Sequence, residues 1–112
     1  MPLRILDDEL YQLLRAEKIK EFNSQRGEEA LDFHDCDFRG LDLRNLNPDN
    51  INFSGCYFRN ADLRGIDFRR ATLDGASIAG AKISGCYFSD SFSADELRLS
   101  QEFGTRLRAK AG

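Results

Sequence analysis

Between residues 31 and 90 arginine recurs in a five-residue rhythm, at Arg39, Arg44, Arg59, Arg64 and Arg69, with Arg70 beside the last. A guanidinium offers a planar fork of donors suited to carboxylate, phosphate or a nucleic-acid backbone, so an arginine row is a candidate partner-binding face. Asp37, Asp42, Asp62 and Asp67 stand two residues ahead of Arg39, Arg44, Arg64 and Arg69. Interleaved charges of this kind pair with one another as a solvated network, each pair contributing about 0–1 kcal/mol. The interleaving favours that plainer outcome. Tyr57 and Tyr87 project from the same stretch. Their rings are candidate contacts, since aromatic anchors recur in binding hot spots, although plain surface rings are commoner.

The remaining reactive side chains are few. Cys36, Cys56 and Cys86 form an odd set with no C-x-x-C spacing, and His34 is the one histidine. That argues against a zinc site or a disulfide framework. A Cys36–Cys56 bridge is conceivable if the two stack, but buried thiols filling core positions are the expectation. His34 has no evident base or nucleophile beside it and reads as a surface residue. There is no Gly-rich phosphate loop, no nucleophile–base pair and no metal-ligand spacing. No catalytic residue, metal or cofactor is therefore expected.

Charged residues make up 31% of the 112 and hydrophobic ones 41%, which suits one folded domain. The net charge of −3 argues against a dedicated nucleic-acid binder. No apolar run reaches membrane-spanning length, and acidic residues follow Met1-Pro2-Leu3-Arg4-Ile5-Leu6 too soon for a signal-peptide core. A cytoplasmic location is expected.

The elements that must hold the arginines follow from one period. Residues 31–90 divide into twelve blocks of five, from LDFHD and CDFRG to AKISG and CYFSD. The first position is apolar in every block, and the third is Phe, Leu or Ile in all but the one holding Pro48. A period of five suits neither a helix nor a plain strand. It suits a chain that points positions one and three inward and turns on the rest. Position five is Gly or Asn in nine blocks, residues that tolerate positive φ. Position two is Asp, Asn, Ser or Thr in nine, where a short side chain can bond nearby backbone.

The blocks resemble the A-(D/N)-L-x-x motif of the pentapeptide-repeat family, most cleanly at Ala61-Asp62-Leu63-Arg64-Gly65. The resemblance implies an all-β solenoid, a right-handed quadrilateral β-helix with four blocks per coil and three coils in all. Residues twenty apart then stack, giving core ladders Phe33–Phe53–Leu73, Phe38–Phe58–Ile78, Leu43–Leu63–Ile83 and Pro48–Phe68–Phe88. Leu31, Leu41 and Leu46 stand in the first coil where the family prefers Ala. Pro48 removes a backbone donor, so a distorted corner is expected at residues 46–50.

The domain reading is residues 1–30 as an N-terminal capping helix, 31–90 as the repeat body, and 91–112 as a C-terminal capping helix and basic tail. Residues 8–25 read as one helix, with Asp7 as N-cap, Tyr11 stapled against Leu6, and Gly27 as the stop. Ser93-Ala94-Asp95-Glu96 is a capping box with a Phe92–Leu97 staple, which sets a helix from Ala94 to Phe103 ended by Gly104. Leu99, Phe103 and Leu107 are expected to face the last coil. The segment 93–108 resembles the tail of small bacterial members of the family, which implies a bacterial source and a complete protein.

The function expected is a non-enzymatic protein-interaction module binding an unidentified protein through its side faces. As in some family members, DNA mimicry against a type II topoisomerase is the alternative, and an accessory subunit of an enzyme is another. A monomer is expected, with a helix-mediated dimer through Leu13, Ile19 and Leu107 left open.

Overall fold

A computed structural model describes residues 3–110; Met1 and Pro2, which open the segment read above for a signal peptide, and Ala111 and Gly112 at the end of the basic tail, lie outside the described residues. Within 31–90 each block closes on a tight turn. The N–H of a block's first residue donates to the carbonyl three residues earlier, as Cys56 does to Phe53 (3.1 Å) and Ala76 to Leu73 (3.0 Å). The residue just before that donor takes the positive φ that a type II turn demands at its third position. Ten of the twelve fifth positions do so, Arg70 and Asp90 excepted. At Gly55 a Cβ would run into the Asp35 carboxylate, and at Gly80 into the side chain of Asn60.

Four such turns bring the chain back over itself after twenty residues, in parallel. Leu31–Asp32 (β1) pairs with Ile51–Asn52 (β2) in a two-stranded parallel sheet. Regular strand goes no further among the described residues. Elsewhere the pairing consists of isolated parallel bridges at the same separation: Asp37 with Tyr57, Asp42 with Asp62, Asn52 with Thr72, Tyr57 with Ser77, Asp62 with Lys82 and Asp67 with Tyr87. A side five residues long spends most of its length turning, which leaves little extended backbone. The long continuous strands of an all-β solenoid are therefore absent.

One rung is missing. Asn47 and Asp67 form no bridge, and neither ladder bond occurs there. Pro48 has no N–H to give Asp67, as Leu43 gives Asp62 (3.0 Å). The distorted corner expected at this block is otherwise absent: Ile51 closes its turn on Pro48 (3.1 Å) and Asn50 donates to Arg70 (2.9 Å). Proline costs this body one rung and leaves the register intact.

Inside, like sits on like. Phe38 stacks on Phe58 with centroids 5.3 Å apart and planes at 9°, and Phe68 on Phe88 at 5.7 Å and 12°. Phe53 meets Phe38 and Phe58 edge-on at 5.6 and 5.4 Å. Each fully buried Phe or Leu removes apolar surface worth about 1.5–3 kcal/mol from water. No helix among the described residues is long and apolar enough to cross a membrane.

The ends are covered differently from the sequence reading. Residues 8–25 are two helices, Glu9–Arg15 (α1) and Ile19–Arg26 (α2), with Asp8 rather than Asp7 as the N-cap of α1. The break is a C-terminal helix cap in which Lys18 donates to Leu13, Glu17 donates to Leu14, and Glu17 takes φ +60°. Its physical reason lies in the body beneath. The Glu17 carboxylate accepts from the N–H of Asp42, and Asn23 bonds both the carbonyl of Asn45 (2.8 Å) and the N–H of Asn47 (2.9 Å). A single straight helix cannot reach all of these backbone groups. Tyr11 is buried against Phe33 and Phe38, its hydroxyl donates to the Asp37 carbonyl (2.7 Å), and with Asp8 as the cap Leu6 no longer stands directly before that cap. Arg4 adds a short parallel bridge on Cys36 that no sequence pattern signalled.

At the other end Ala94–Phe103 (α3) has the expected bounds, with Ser93 accepting from the N–H of Glu96 (3.1 Å) and Gly104 at φ +74°. Its facing differs. Leu107 is buried, but Leu99 is 40% exposed and Phe103 73%. The helix instead buries Ser100, whose hydroxyl accepts from the N–H of Ile78 (3.1 Å), because an open backbone edge needs a polar partner more than another apolar one. Leu13 and Ile19 also pack against the core, so the apolar residues left outside are Ile5, Tyr87, Leu99 and Phe103.

Truncating the stacked core should be costly. Phe58→Ala is expected to lower unfolding free energy by about 3–5 kcal/mol in urea denaturation. Phe103→Ala should change it by less than about 0.5 kcal/mol. Equal losses from both would show that the rings at position three are not the core.

Candidate partner-binding site

The aspartate–arginine pairs are built inside single blocks. Position two lies flat on the side of the body, and its carboxylate turns back to accept the N–H of position four. Arg39, Arg44, Arg64 and Arg69 each donate that N–H to Asp37, Asp42, Asp62 and Asp67, at 3.0 to 3.3 Å. Each guanidinium then folds over the same carboxylate in a two-point pair: Nε to one oxygen at 2.9 Å, Nη2 to the other at 2.7 to 2.8 Å. The pairing holds these carboxyls below the usual range, with Arg64 and Arg69 bringing Asp62 and Asp67 to about 2. Asp37 and Asp42 are lowered by Arg39 and Arg44 in the same way. Arg70 reaches Asp49 at 3.6 Å.

Arg59 is different. Its block carries Tyr57 at position two, so the in-block carboxylate is missing, and Arg59 forms no ion pair among the described residues. It lines a groove of about 430 Å³ together with Tyr57, Ser77, Gln101, Glu102 and the exposed Phe103. The Arg106 guanidinium sits 5.3 Å above the Tyr57 ring and donates to the Gly75 carbonyl (2.8 Å). Tyr87, 58% exposed, carries Arg69 over its ring at 4.8 Å. Of the residues singled out from sequence, the structure brings Tyr57 and Arg59 together beside α3 and spends Arg39, Arg44, Arg64 and Arg69 on their own aspartates. Phe103, Gln101 and Arg106 were not in that set. The tyrosine at position two was the available signal, because it strands the arginine two residues on.

His34 corrects the sequence reading. Its Nδ1 lies 2.8 Å from Asp32 Oδ1 and 3.1 Å from the Arg4 guanidinium, so it does have a carboxylate partner. No nucleophile completes the set. The three cysteines are free, and burial pushes the Cys36 thiol up to about 11 and raises those of Cys56 and Cys86. Cys56 donates its S–H to the Phe33 carbonyl at 2.9 Å. Among the described residues no cluster of three or more His, Cys, Asp or Glu is placed to hold a metal ion.

The paired carboxylates set a pH dependence. In the folded state Asp62 and Asp67 titrate near 2, below the ordinary 3.8, so the unfolded chain takes up protons first as pH falls. Their contribution is complete above about pH 5 and is lost between about pH 4 and 2. The melting temperature should fall across that window, and the fall should shrink in Arg64→Met with Arg69→Met. An unchanged slope in that variant would mean other groups govern acid unfolding.

The family model described as pentapeptide repeats matches residues 51–90 in eight copies. The match begins twenty residues later than the block pattern, passing over the first four blocks with their leucines and Pro48. No curated protein and no solved structure matches the chain. Residues 51–90 are thus eight consecutive pentapeptide repeats, in the register in which the backbone stacks.

Proposed function

We propose that the protein is a non-enzymatic interaction module. Its body is a short prism following a right-handed quadrilateral path of three coils, and it binds a macromolecular partner through the side bearing Tyr57 and Arg59. The observation that carries this is the Arg59 groove: an arginine with no carboxylate of its own, an aromatic floor and an exposed Phe103 wall. Arginine and aromatic residues in a concave surface are the groups that dominate binding energy at interfaces. The repeat family supports an interaction role in general and leaves the partner open.

The other arginines mark the remainder of the surface as balanced. Four bidentate pairs neutralise Asp37, Asp42, Asp62 and Asp67, which works against the run of negative charge that a DNA mimic needs. Inhibition of a type II topoisomerase is accordingly not expected in a supercoiling assay. An accessory subunit of an enzyme is a narrower form of the same interaction role, and a stoichiometric complex with one catalytic protein would mark it.

The test compares proteins recovered from native lysate on four immobilised baits: the wild type, Lys20→Glu on the outside of α2, Arg59→Glu, and Phe103→Ala. A partner of this groove should be retained by the wild type and Lys20→Glu and reduced about tenfold or more by each groove variant. Equal recovery on all four baits would remove the groove from the partner interface.

A further inference from the structure

The backbone bonding of the body is directional. In each layer the N–H groups of positions three and five point toward the next layer, where they meet the carbonyls of positions two and four. Leu63 donates to Lys82 (2.9 Å) and Gly65 to Ser84 (3.0 Å). The last layer, residues 71–90, has no following coil, and its outward donors need other partners. Along residues 71–80 three of them find one: Gly75 donates to Leu107 (2.8 Å), Ile78 to the Ser100 hydroxyl (3.1 Å) and Gly80 to Gln101 (2.8 Å). On the sides formed by residues 81–90 they do not, and Leu73 likewise has no partner among the described residues. The N–H groups of Ile83 and Gly85 have no hydrogen-bond partner among the described residues, and Gly85 is exposed.

Directly beside that edge runs a groove of about 660 Å³ between the body and α3. Its apolar residues are Ala81, Ile83, Ala94 and Leu97, and its charged ones are Lys82 together with Arg64 and Arg98, which are paired with Asp62 and Asp95. Lys82 stands at position two, where two layers below it the same ladder carries Asp42 and Asp62, and it forms no ion pair among the described residues. The edge and the groove beside it together combine two open backbone donors, an apolar floor and the unpaired cation Lys82.

We infer that this edge is a strand-addition site for an extended acidic peptide segment, distinct from the Arg59 groove. The peptide lies parallel to residues 81–85 as a partial fourth layer. Its carbonyls accept from Ile83 and Gly85 as those of Lys82 and Ser84 accept from Leu63 and Gly65. Alternate side chains cover Ile83 and Leu97, and the acidic ones face Lys82 and Arg98. Backbone bonds supply the pairing and the charged rim supplies the preference, as in other sheet-edge recognition.

The probe is a blocked, fluorescent heptapeptide of alternating glutamate and valine, with a lysine-for-glutamate version as control. Titration followed by amide NMR should show saturable binding of the acidic peptide. It should slow hydrogen exchange at Ile83 and Gly85, with binding weakened about tenfold by Lys82→Glu with Arg98→Glu. Ile83→Pro removes one donor at a third position, where Pro48 already shows that the body accepts proline, and should weaken binding to a similar degree. If that variant fails to fold, the charge variant and the exchange map decide alone. Equal binding of the lysine peptide, protection elsewhere, no binding, or equal competition by a short oligonucleotide would each overturn the assignment.

Discussion

Most residues of a block have somewhere to send their N–H. The first closes the turn, the second bonds the layer before, and the third and fifth bond the layer after, as Cys56, Tyr57, Phe58 and Asn60 do in turn. The fourth is left over, and the side chain at position two takes it, as Asp62 does for Arg64. A buried peptide group without a partner costs as much as a lost hydrogen bond. A body made almost wholly of turns therefore depends on this assignment. The left-handed residue at position five makes it possible by aiming the next block around the corner. Phenylalanine stacking follows, because a fixed return of twenty residues puts each ring above its equivalent.

Such an assignment has no natural end, and the two ends are closed in different ways. At the start, Arg4, Tyr11, Arg15, Glu17, Asn23 and Arg26 all bond backbone groups of the first layer. Those bonds explain why the capping segment is two short helices. At the finish, α3 and the segment after it bond the sides formed by residues 71–80 through Ser100, Gln101 and Leu107, and the outward donors of residues 81–90 stay open. The same physics that stabilises the interior thus creates a surface able to take another strand. Repeat proteins in general meet this problem with polar caps.

The charge balance of the surface is broken where the repeat is broken. A block with aspartate at position two and arginine at position four is electrically self-contained. Such pairs add solubility and order the side chain but offer a partner little unpaired charge. Tyr57 frees Arg59 from that arrangement, and Lys82 interrupts a column of aspartates. Both departures lie beside α3, which places the unbalanced surface at the C-terminal end of the body.

The five-residue pattern by itself determined the inward and outward positions and the turns at the fifth residues, the capping signals determined the bounds of α3, and the twenty-residue layer spacing followed from the family resemblance. These depend on local φ preference, capping chemistry and apolar spacing, all of which are written in short stretches of chain. The aspartate–arginine pairs were legible for the same reason, since both partners lie within one block. Only the tertiary structure decided that residues 8–25 break at Glu17, that Phe103 faces solvent while Ser100 is buried, that Pro48 loses a rung without losing register, and that Ile83 and Gly85 are left open. Each of those outcomes depends on which backbone groups of a distant layer lack partners. Such a need arises between segments far apart in sequence, where no local pattern records it.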